Sequence, residues 1–237
     1  MELTFEHAKK VLELVDQGLT TGLGNPKPGE MCVEAAVCFA FGLPHGDNPP
    51  CIGPAVRAFK IRLNDSFWSS NQIRAAGMRR LAIAQLGSDQ IDQKKFAQLL
   101  AKQIIRKVIP IALRSAAVLN QVRKNRDMLE KAAIRCEQQK GIHTAIREAY
   151  MAARTAHAVN IIYAVFDAAN AINDAHAAAD TDVIIRAAYM AARAVDETAR
   201  AADGNRRDEI LFLGAAIAAD ILLKLGSRGT QWLYLAK

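Results

Sequence analysis

The sequence has little of what usually announces a function. Four cysteines are spread over 237 residues, and no two of them form a C-x-x-C pair. That spacing excludes the standard paired zinc motifs, and so few cysteines in so long a chain do not make a disulfide framework. There is no glycine-rich phosphate cradle, no zinc-protease helix motif and no nucleophile elbow. No apolar run reaches the ~18 residues of a membrane span; the nearest, Ile210 to Leu225, is interrupted by Asp220 and Lys224. The N-terminus lacks the basic-then-apolar pattern of a secretory signal. A cytoplasmic protein with no membrane contact is therefore expected. Aromatics make up only 6% of the chain, which argues against rows of stacking platforms for single-stranded nucleic acid.

No stretch alternates in the period-two manner of a strand, whereas helical periodicity recurs from end to end. Thr4 is placed to cap a first helix that Gly18 stops, Gly53-Pro54 to open another, and Ser69 or Ser70 to cap one that Gly87 ends. In the helix after Gly53, Val56, Phe59, Ile61 and Leu63 suit the buried face, and Arg57, Lys60 and Arg62 the outside. Residues 93–138 read as helical with a break at Pro110. AYMAAR occurs at Ala149–Arg154 and again at Ala188–Arg193, which fits two closely packed alanine-rich helices. Asp167, Asn170, Asn173 and Asp174 form a polar stripe suited to pairing with arginines of a neighbouring helix. The expectation is an all-α, multi-helix bundle of roughly eight helices. It has a loop-rich Cys/His/Pro segment near the N-terminus. Residues 1–140 and 141–237 read as two regions that are separate or fused as one domain.

That segment, Asn25 to Gly53, holds three of the four cysteines and five of the seven prolines. Cys32 follows a proline–glycine turn at the start of a short apolar helix, where a helix N-terminus favours a thiolate. It is the candidate catalytic nucleophile, with His45, His143, His157 or His176 as a base if the fold brings one near. Cys38, His45 and Cys51 are the candidate metal ligands, and zinc is the metal that sulfur and imidazole would select. Cysteines packed as small apolar side chains are the plain alternative.

Charge is the other feature. The net charge is +7, but residues 94–147 carry 13 Lys/Arg against 3 Asp/Glu, while the flanking regions are close to neutral. This belt includes Arg106, Lys107, Arg114, Arg123, Lys124, Arg126, Lys131 and Arg135. A concentration of one sign attracts acidic protein surfaces or phosphate backbones. The leading functional expectation is a non-enzymatic helical protein that binds such a macromolecule through the belt. The alternative is a metal-binding protein or cysteine-dependent enzyme centred on Cys32, His45 and Cys51.

Overall fold

A computed structural model describes residues 2–138, 141–202 and 204–236. The protein is all-helical; among the described residues there are eleven α-helices, two 3₁₀ segments and no strand beyond an isolated bridge between Gly24 and Met31. The α-helices are α1 (Phe5–Val15), α2 (Val33–Ala40), α3 (Pro54–Asn64), α4 (Asn71–Ala84), α5 (Gln93–Lys107), α6 (Ile109–Leu119), α7 (Arg123–Glu137), α8 (Ile142–Thr155), α9 (Val159–Ala177), α10 (Thr181–Ala201) and α11 (Gly204–Leu225). No helix among the described residues is long and apolar enough to cross a membrane.

Short polar side chains start several helices, as their lone pairs require. Thr4 accepts from the His7 amide, Ser70 from Ile73, Asp92 from Lys95 and Asp180 from Val183. The eleven helices exceed the expected eight because two long periodic stretches each turn a corner without glycine or proline. Residues 93–138 divide into α5, α6 and α7. The second of those corners is at Asn120, whose side-chain oxygen accepts from the Val122 amide. Residues 142–177 divide into α8 and α9 at His157, which adopts a left-handed φ of 54°.

α10 is central: it packs on α3, α5, α6, α9 and α11. One hydrophobic cluster runs from Leu3 through these helices to Trp232, so α8–α11 share the core of α1–α7. The two AYMAAR copies lie on α8 and α10, and both helices pack on α9. The alanines of the copies (Ala149, Ala152, Ala153; Ala188, Ala191, Ala192) are all buried, where a small side chain lets helix axes approach. The polar stripe of α9 pairs with α10, Asp167 with Arg193 and Asp174 with Arg186.

One sequence expectation about orientation is corrected. Lys60 is fully buried rather than outside. Arg74 is also buried, donating to the carbonyls of Asn64 and Leu19. Trp68 plugs the core, but its neighbour Phe67 is exposed beneath the Arg207 guanidinium.

Candidate functional site

α2 is a short helix whose only charged residue is Glu34, and that residue is completely buried. Lys60 comes to it from α3, placing Nζ 2.7 Å from Glu34 Oε2, with neither side chain exposed. Burial pushes the carboxyl up and the ammonium down, and each charge opposes the other's shift. Glu34 Oε1 has no hydrogen-bond partner.

Cys32 is the N-cap of α2; its sulfur accepts from the Ala35 amide at 3.4 Å. The helix N-terminus is thus present, but burial outweighs it and raises the thiol pKa. Cys38 and Cys51 are likewise buried, with thiols pushed up to about 11 chiefly by desolvation. His45 is exposed on the chain after α2, its Nε2 3.0 Å from the Gly24 carbonyl. The other candidate bases lie on α8, at the α8–α9 corner and on α9, with the rings of His143 and His176 edge to face. No histidine hydrogen-bonds Cys32 among the described residues. Nor do Cys38, His45 and Cys51, or any other three His, Cys, Asp or Glu side chains described, form a group placed to hold a metal ion.

Beside Glu34 of the Glu34–Lys60 pair the fold does build a small cavity, of about 130 Å³. Cys32, Glu34, Asp47, Asn64 and Asp65 line it together with Gly22, Leu23, Val33 and Ile61. Sequence inspection missed this set. The one available signal was a single carboxylate inside an apolar eight-residue helix, which demands a partner.

The basic belt divides in the structure. Arg114 forks between Glu130 and Glu137, and Arg135 pairs with Glu148. Arg126 donates to the carbonyls of Asn120 and Gln121. Lys107 faces α11 across a groove it shares with Ile217, Asp220 and Lys224. Arg106 is in the last turn of α5. Arg123, Lys124, Lys131 and Arg147 are exposed on α7 and α8, with no ion-pair partner among the described residues. Between those two helices runs a groove of about 560 Å³ lined by Met128, Ala132, Met151 and Ala152, with Lys131, Arg147 and Glu148 also along it.

Comparison with known proteins returns no match: no family model, curated protein or solved structure is similar to this chain.

Proposed function

We propose that the chain is a non-enzymatic binding protein whose α7–α8 face receives an acidic segment of a partner protein. The observation that carries this reading is the α7–α8 groove itself. Its lining includes two methionines and two alanines, its two cations have no ion-pair partner among the described residues, and its one carboxylate, Glu148, is engaged by Arg135. Methionine is a flexible, polarizable lining that adapts to a partner's apolar side chains. A nucleic-acid backbone would satisfy Lys131 and Arg147 but leave Met128 and Met151 uncovered, and no aromatic side chain lines the groove for base stacking. The cysteine-enzyme alternative has burial against it, since desolvation raises the pKa of each thiol and disfavours the thiolate a nucleophile needs.

The test is fluorescence anisotropy with two probes, a labelled amphipathic peptide rich in glutamate and leucine and a labelled RNA oligonucleotide. The proteins compared are wild type, Lys131→Glu/Arg147→Glu and Arg123→Glu/Lys124→Glu/Arg126→Glu. The expected result is peptide binding weakened at least tenfold by the groove pair and less by the triple variant, with helicity unchanged. Peptide binding indifferent to both variants, or RNA bound more tightly than peptide, would overturn the reading.

A further inference from the structure

The cavity beside the buried ion pair has a chemical bias distinct from the belt. Every side-chain polar group lining it, apart from the Asn64 amide and the Cys32 thiol, is a hydrogen-bond acceptor. The Asn64 amide nitrogen is already spent, donating to the Thr20 carbonyl and to Asp65 Oδ1, each at 2.9 Å. What remains of Asn64 is an oxygen, and that oxygen has no partner. Glu34 Oε1 is in the same state. Both residues are essentially without exposed surface. Two buried acceptors left unmatched at one small cavity is a costly arrangement, on the order of 1–3 kcal/mol for each. A donor-rich occupant would remove that cost.

Asp47 and Asp65 are exposed residues of the same lining. Asp65 Oδ1 is committed, accepting from the Gly22 amide at 2.8 Å; its second oxygen and the whole Asp47 carboxylate accept no hydrogen bond among the described residues. Glu34, Asp47 and Asp65 together exceed the charge of Lys60. Arg57, close enough to act on Glu34, and Arg74, close enough to act on Asp65, do not line the cavity. The occupant favoured by this balance is therefore cationic. Among the described residues these carboxylates do not converge as a metal-holding group, so the lining suits an organic cation with N–H donors better than a bare ion. The volume of about 130 Å³ suits a group of a few heavy atoms.

We infer that this cavity is a binding site for a small organic cation bearing several N–H donors, a primary ammonium or a guanidinium. Asp47 and Asp65 attract and hold the charge, and the unmatched oxygens of Asn64 and Glu34 take N–H groups at the inner wall. The same chemistry is carried by a free amine and by a lysine or arginine side chain of another protein.

The experiment is ligand titration of the full chain, followed by amide chemical shifts and thermal midpoint. The probes are methylammonium, guanidinium and tetramethylammonium chlorides, with sodium chloride matching the ionic strength throughout. Saturable binding of methylammonium or guanidinium, absent for tetramethylammonium, is expected, with shifts centred on residues 22–23, 47 and 64–65. Asp47→Asn/Asp65→Asn keeps an acceptor oxygen at each position but removes the charge, and affinity should fall at least tenfold. A second arm compares n-butylammonium with a capped Gly-Lys-Gly peptide. Tighter peptide binding assigns the cation to a protein side chain, and tighter amine binding assigns it to a free metabolite. No saturable binding, equal response to tetramethylammonium, or undiminished affinity in the folded double variant would overturn the inference and leave a cavity that holds only water.

Discussion

Lys60 Nζ stands 2.7 Å from Glu34 Oε2 where neither side chain meets solvent. Two charges so placed lose their hydration and regain only part of it from each other. Removing one partner strands the other. Lys60→Met is expected to cost about 3–5 kcal/mol. The double change Glu34→Leu/Lys60→Met should restore most of that loss or exceed wild type, because the apolar pair fills the same space. Urea unfolding of the three proteins decides this; a double variant no better than Lys60→Met would mean that the pair organises α2 and α3 beyond its charge.

Asp167 supplies a pH dependence. It is buried on α9, and burial raises its pKa to about 6 against the opposition of Arg193 and Arg62. The native state therefore binds this proton more tightly than the unfolded chain does. The resulting stabilisation is fully present below about pH 4 and is lost as pH rises through about 6. A shift of this size corresponds to about 3 kcal/mol. Asp167→Asn, which cannot titrate, should gain on wild type by about that amount between pH 4 and pH 7.5. Parallel stability–pH curves for the two proteins would refute it.

His157 ends α8 in the left-handed region. Its amide bonds the Arg154 carbonyl and the next amide bonds Ala153, the two bonds of a glycine-type helix stop. A side chain there is strained by about 1 kcal/mol. His157→Gly should raise the thermal midpoint by about 2–4 °C, read by circular dichroism. A lowered midpoint would show that the imidazole contributes more than the strain costs.

Gly77 of α4 lies directly under the Trp68 ring, and a methyl group at that position would overlap it. The indole cannot easily retreat, since Nε1 donates to the Leu63 carbonyl at 2.9 Å and the ring meets Phe212 edge to face. Gly77→Ala is expected to cost about 1–3 kcal/mol and to red-shift the tryptophan emission. Unchanged emission would mean that α4 shifts instead.

Features set by local chemistry were readable from the chain. Thr4, Ser70 and the glycines after α1 and α4 act through neighbours within a few residues, so their roles follow from order alone. The Asn120 and His157 corners were not readable, because neither residue marks a turn unless the helices beyond it require one. The site failed to show for a related reason. Lys60 has Arg57 and Arg62 close by in sequence, and nothing local distinguishes the one that turns inward. Its partner, Glu34, is on another helix. Asn64 and Asp65 meet Asp47 only once α3 has packed beside the chain that follows α2. The belt was visible as composition, but its division was not: Arg114 looks like Lys131 in sequence until Glu130 and Glu137 are seen to engage it.

The contact between α3 and α10 has a consequence in time. Arg62 of α3 donates to Asp196 of α10, 134 residues further along. At a synthesis rate of roughly 5–20 residues per second, α3 emerges from the ribosome on the order of ten seconds before its main packing surface exists. Through that interval the buried side of α3, with Val56, Phe59 and Leu63, has α2 and α5, but not yet α10, to pack on. The nascent chain is therefore most exposed to aggregation while α6 to α9 are being made.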